Sequence, residues 1–223
     1  YGKAWVGTVM AQDKAKAGKT TRSGNPETQP ETQPKTPPTT AGEPRQQAGG
    51  GKGLAGQVLQ AHITKPWDHP DMPLVFAAGP LVATPAPTSG RMVIASRSPL
   101  TGTIGDASVG GLLGFHIKRA GYDAFVVTGR ARQWTGVIVE DGNVSFQDAS
   151  GFINIPVSKR LQGIKKKGAC ALIGPAAENG VRFASIMVDG HFAAGRGGLG
   201  LRSEAGAVGL SLTFVPRVSN GAA

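Results

Sequence analysis

Residues 193–200 read Ala-Ala-Gly-Arg-Gly-Gly-Leu-Gly, four glycines in six positions around one arginine. A stretch so poor in side chains lets the backbone come against a ligand, with amide N–H groups and Arg196 available to anionic oxygens. Gly195, Gly197 and Gly200 also fit Gly-x-Gly-x-x-Gly, but a dinucleotide site wants those glycines directly after a strand and an acid about 20 positions on. The apolar run 183–188 stops six residues short of Gly195, and no acid follows Glu204. The pattern therefore reads as an anion loop rather than a nucleotide fold. A second such loop spans 98–111, Ser-Pro-Leu-Thr-Gly-Thr-Ile-Gly-Asp-Ala-Ser-Val-Gly-Gly. It leads into a helix-like stretch at 112–120. Gly110 and Gly111 fall at the helix start, where unpaired N–H groups and the macrodipole favour an anion.

The elements that must position these loops are mostly short strands. Residues 1–10 are apolar enough for an opening strand, and 74–78, 91–96, 124–128, 136–140, 144–147, 170–173 and 181–188 read as further strands. Asp141-Gly142-Asn143 is a strong hairpin signal between two of them. Helical spacing recurs at 54–62, with Leu54, Val58 and Ala61 on one side, and at 157–166. Strands in hairpins with few helices between them predict an α+β domain. Residues 13–50 lose this order; Pro26 to Thr39 repeats Pro-Glu-Thr-Gln and then Pro-Lys-Thr-Pro, which cannot bury enough apolar area to offset its chain entropy.

Composition narrows the function. Glycine is 34 of 223 residues, about twice the usual ~7% share, so loops carry much of the chain. The formal charge is +10, but the first fifty residues hold 7 basic and 4 acidic groups and the remainder is dispersed. Lys165, Lys166 and Lys167 form the one basic run, without neighbouring aromatics, which argues against a nucleic-acid partner. Cys170 is the single cysteine and sits in an apolar run, so the chain holds neither an internal disulfide nor, alone, an iron–sulfur cluster. The four histidines show no metal-ligand spacing, and no apolar run reaches the ~18 residues of a membrane span. A cytoplasmic setting follows as the expectation. The chain starts at Tyr1 rather than Met, as a processed or incomplete sequence would.

Six motifs then occur in order: Ala77-Ala-Gly-Pro-Leu, Ala86-Pro-Thr-Ser-Gly-Arg91, Ser98-Pro-Leu-Thr-Gly-Thr, Ala120-Gly-Tyr-Asp-Ala, Ile173-Gly-Pro-Ala-Ala-Glu-Asn and the Ala193 loop. Together they resemble the N-terminal domain of the tungsten-containing aldehyde:ferredoxin oxidoreductase family. The resemblance implies an α+β fold in which two β-sheets with a few short helices form a cofactor-binding base. It implies a bis-pyranopterin cofactor of tungsten or molybdenum, its phosphates often bridged by magnesium. It also implies oxidation of aldehydes to carboxylic acids, with electrons passed through a 4Fe-4S cluster to ferredoxin. Carried over by position, Arg91 matches an arginine near pterin and cluster, Ser108 and Gly110 fall in the loop at the pterin phosphates, and Ala193, Gly195 and Arg196 match the second phosphate loop. No residue is assigned as catalytic or as a metal ligand.

Departures bear on this. Ser108 stands where many members have asparagine, which weakens the case for a magnesium ligand there. Phe192 replaces a usual arginine, and the sequence after Gly200 leaves the family's pattern. The cluster-binding cysteines lie downstream in the family, so the resemblance implies that the remaining catalytic domains or a cluster-bearing subunit complete the enzyme, with self-association left open. The expected division is an opening strand at 1–12, a disordered Pro/Thr/Gln-rich insertion at 13–50, a pterin-cofactor-binding domain at 51–200 and an atypical tail at 201–223. The alternative is a non-catalytic binding or interaction module of the same fold.

Overall fold

The computed structural model describes residues 3–9, 50–131, 133–140, 143–164, 168–205 and 211–215. The expected insertion at 13–50 lies outside the described residues apart from Gly50, as do Asp141, Gly142 and the three-lysine run.

Among the described residues eleven strands form two sheets, and the fold is α+β. The first sheet has the order β1 (Lys3–Val9), β5 (Tyr122–Gly129), β2 (Leu74–Ala78), β3 (Met92–Arg97), β4 (Ile104–Val109). Only β1 and β5 run parallel; the other pairs are antiparallel. β2 lies in the middle and all five of its residues are buried, which is why it reads as an unbroken apolar run. Its alternate residues serve two cores. Val75 and Ala77 pack under α1 (Gly50–Gln60) with Ala95, Ala124 and Val126, while Leu74 and Phe76 face the second sheet with Met92, Ile94 and Phe125.

The helical face of α1 differs from the one the spacing predicts. Ala55 and Leu59 are its deepest contacts, Leu54 and Val58 flank them, and Ala61 is exposed. The rotation follows from Gly51, which lies so close to β2 that an added Cβ would stand 2.7 Å from the Ala77 carbonyl oxygen. That approach fixes which side of the helix meets the sheet.

The second sheet has the order β10 (Phe192–Ala194), β9 (Ile186–Val188), β8 (Ala169–Leu172), β11 (Ser211–Val215), β6 (Thr135–Glu140), β7 (Asn143–Asp148). β6 and β7 pair down to Glu140 opposite Asn143, so the hairpin forms where the turn signal predicts it. Between the sheets sit α2 (Leu113–Arg119), through Leu113 and Ile117, and α5 (Leu199–Ala205), through Leu199 and Leu201. Two further helices, α3 (Val157–Gly163) and α4 (Pro175–Glu178), are joined by a buried ion pair of Arg160 with Glu178. Arg160 also donates to the carbonyls of Ile155 and Ile173, and Glu178 accepts the Asn154 N–H, so the buried charges are hydrogen-bonded as well as paired.

Four expectations change. The loop predicted over 98–111 is a tight turn followed by β4, paired with β3 along its whole length from Met92–Val109 to Arg97–Ile104. Asp106 is therefore a strand residue, opposite Ala95. The strand predicted over 181–188 shortens to Ile186–Val188, because 181–185 turn beneath α5 with the Gly200 N–H donating to the Ala184 carbonyl. The helix predicted over 157–166 ends at Gly163. The segment read as an atypical tail supplies most of α5 and all of β11, which joins β8 to β6.

Candidate functional site: an anion seam along β4

β4 is an edge strand, and both glycine-rich loops meet on it. The β3–β4 register pairs Met92 with Val109 and Val93 with Ser108, so Arg91 and Gly110 lie just beyond the first pair at the same end of the sheet. The stretch 192–198 runs along β4 in the opposite sense. A Cβ on Gly110 would stand 3.0 Å from the Phe192 ring, and one on Gly105 would stand 3.1 Å from the Gly197 Cα. Arg91, Ser108 and Gly110 thus come together along one strand with Ala193, Gly195 and Arg196.

The four glycines of the second loop divide into two roles. Gly197 (φ +80°) packs on Gly105, Gly198 (φ +68°) packs on Arg182 and Pro99, and a Cβ on Gly200 would stand 2.6 Å from the Ser185 carbonyl oxygen. These three serve internal packing, and only glycine suits the two left-handed positions without penalty. Gly195 differs: a Cβ there would meet nothing closer than Ala193 at 4.0 Å. Gly195 alone leaves open backbone on the surface, beside exposed Ala193 and Arg196.

At the start of α2 one main-chain donor is already taken by an internal acid. Leu112, the N-cap, donates its N–H to the Asp189 carboxylate at 2.7 Å, and the other carboxylate oxygen accepts the Cys170 N–H at 2.9 Å. The acid favoured by the helix N-terminus is internal, supplied from the turn between β9 and β10. Gly111 (φ +95°) makes room for it; a Cβ there would stand 2.5 Å from the Asp189 oxygen. Phe192, exposed in part, closes over Gly110 from the other side. His116, one turn into α2, is pushed below its ordinary pKa by burial, with Asp189 opposing and Arg119 adding to the effect.

Arg91, Ser108 and Arg196 are exposed, and among the described residues none of the three side chains has a hydrogen-bond or ion-pair partner. A third cation stands near them: Lys52, in the first turn of α1, reaches Asp106 of β4 at 3.0 Å. Besides Arg160, a second cation lies inside. Arg202 of α5 is buried, donates to the carbonyls of His69 and Met72, and leaves its Nε without a partner; burial lowers its pKa to about 10. Sequence reading found neither Lys52 nor Arg202, since neither stands in a motif. Among the described residues no group of three or more His, Cys, Asp or Glu side chains could hold a metal ion, and no helix is long and apolar enough to cross a membrane.

The fold and the seam define a two-sheet domain on whose surface two guanidinium groups, a hydroxyl and bare backbone lie exposed. Residues 35–205 match the family described as the N-terminal domain of aldehyde ferredoxin oxidoreductase. The chain belongs to that family. It is 44% identical over 158 residues to the tungsten-containing aldehyde ferredoxin oxidoreductase of Pyrococcus furiosus, covering 68% of this chain and 26% of the relative. The Pyrococcus horikoshii enzyme of the same name is 46% identical over 136 residues, covering 59% of this chain and 22% of the relative. A chain in the solved active site complex BamBC of benzoyl coenzyme A reductase, bound to 1,5-dienoyl-CoA, aligns with a TM-score of 0.70 and 29% identity over 78% of this chain and 28% of its own length. The chain spans about a quarter of the relatives it matches.

Proposed function

We propose that this chain is the cofactor-holding base of an aldehyde-oxidising enzyme, with a tungsten or molybdenum bis-pyranopterin lying against the β4 seam. The observation that carries this reading is the meeting of Arg91, Ser108 and Gly110 with Ala193, Gly195 and Arg196 along one edge strand. The donors suit the group. Phosphate oxygens want guanidinium forks, a hydroxyl and close backbone, and Gly195 provides the one stretch of the second loop where a ligand meets no Cβ.

When bound, the metal centre supplies the two-electron chemistry that turns an aldehyde into a carboxylic acid. The chain's own part is positional. Arg91 and Arg196 compensate phosphate charge from the two sides of the seam, Ser108 donates its hydroxyl, and the turn at Gly195 lets the phosphate approach the main chain. Magnesium is the counter-ion expected at bridged phosphates, and Ser108 in place of asparagine leaves the chain with a weaker ligand for it. The 4Fe-4S cluster and the passage of electrons to ferredoxin fall to the remaining catalytic domains or to a cluster-bearing subunit, in a cytoplasmic enzyme.

Elemental analysis of the chain isolated from its native source with whatever co-purifies tests the reading. Tungsten or molybdenum with phosphorus, both lost in the R91A/R196A variant, is the expected result. A metal-free, phosphorus-free chain, or retention unchanged in that variant, would overturn it in favour of a binding module without a cofactor.

A further inference from the structure

We propose that Lys52 is a third cationic contact of the same anion site, held in place over β4 by Asp106. The inference rests on the reading of the seam given above and extends it to a residue outside both loops. Four placements carry it. First, α1 begins at the end of the sheet where the seam opens: Gly51 packs on Ala77 at the end of β2, Ala78 pairs with Met92, and Met92 pairs with Val109 beside Gly110. Second, Asp106 and Ser108 are alternate residues of β4, so their side chains share a face, roughly 6–7 Å apart along the strand. Their partners on β3, Ala95 and Val93, both pack with α1, which makes this the α1 face of the sheet.

Third, Lys52 Nζ stands 3.0 Å from the Asp106 carboxylate while its side chain remains 73% exposed. Its charge is fixed near Ser108 without being buried, and most of its hydration sphere is free for a second anion. Fourth, Lys52 sits in the first turn of α1, a turn without an acidic residue. A cation there opposes the helix macrodipole, which favours negative charge at an N-terminus. Local rules broken at a site where other charges gather point to a ligand that restores the balance. An oxyanion between Lys52, Ser108 and Arg91 would do so, interacting favourably with both the lysine and the helix end. The chemistry expected is a phosphate or pyrophosphate group, too large and too charged for one guanidinium to compensate.

The test uses the whole chain and pyrophosphate as the probe, with affinity read by calorimetry and stability read from the thermal midpoint. K52Q should weaken pyrophosphate binding about three- to tenfold at low salt with an unchanged midpoint, and K52R should restore affinity to within about twofold, since the Arg charge reaches the same place. A purely structural Lys52–Asp106 bridge predicts the reverse, a lowered midpoint in K52Q with affinity intact. If K52Q binds as the unaltered chain does while R91A/R196A has lost binding, the Lys52 proposal is overturned and the anion seam stands. If the unaltered chain fails to bind pyrophosphate at all, both readings fall together.

Discussion

Asp189 and Leu112, 77 positions apart, are joined by a 2.7 Å hydrogen bond from the Leu112 N–H to the Asp189 carboxylate. The same carboxylate accepts the Cys170 N–H at 2.9 Å, so one side chain ties the start of α2 to β8 and to the turn leading into β10. The backbone of Asp189 is left-handed (φ +52°), a conformation that Asp and Asn tolerate better than other non-glycine residues. D189A should therefore remove the acceptor of the Leu112 and Cys170 N–H groups and add backbone strain, destabilising the chain by about 2–4 kcal/mol in urea unfolding. D189N keeps an acceptor and the tolerated conformation and should recover at least half of that. Equal losses in both variants would show that charge, not geometry, holds the junction.

The glycine series separates open from packing positions. G195A should change stability by less than about 0.5 kcal/mol. G198A and G200A should each cost more than about 2 kcal/mol, the first through its positive φ and contact with Arg182, the second through the Ser185 carbonyl. Denaturation midpoints of the three variants decide it, and a G195A as damaging as G198A would remove the case for open backbone at the seam.

Charge at the seam should appear as salt dependence. R91A/R196A should leave the thermal midpoint within about 2 °C, because both side chains are exposed and unpartnered among the described residues. Its pyrophosphate affinity at low ionic strength should fall at least tenfold, and the gap from the unaltered chain should narrow as salt rises and screens the exposed charges.

Acid should weaken the chain through His116. Its folded pKa lies below the ordinary 6.5, chiefly through burial. Below 6.5 the unfolded chain takes up a proton that the folded chain resists, so stability falls as pH falls, while above 6.5 the imidazole is neutral in both states and adds no slope. Between about pH 7 and 5, the unfolding midpoint should drop more steeply in the unaltered chain than in H116Q; parallel curves would exclude His116 as the source.

Legibility in the sequence followed burial. β2 was readable to the residue, because a central strand buried on both faces must be apolar throughout. β4 was not, because an edge strand carrying Gly105, Asp106 and Ser108 satisfies its backbone on one side only and needs neither alternation nor branched side chains. α5 was hidden inside the glycine run that also forms the second loop, where Gly198 and Gly200 sit against backbone. The two glycine-rich stretches were each visible in the sequence, but their meeting on β4 is a tertiary fact, and so is the Asp189 carboxylate at the α2 start. Composition could not reveal Lys52 or Arg202, whose significance depends on what lies across from them.

β11 has a consequence for the order of events during synthesis. It sits between β8 and β6, antiparallel to one and parallel to the other, and is the last described strand to leave the ribosome. Until it emerges, the β6–β7 hairpin and the β8–β9–β10 meander are separate ribbons, each presenting an unpaired edge of the kind that templates aggregation. The first sheet has no such delay, its strands ending at Gly129. Translation should therefore pass through a stage in which one sheet is closed and the other waits open, and a nascent chain stalled before Ser211 would be the form most in need of a chaperone.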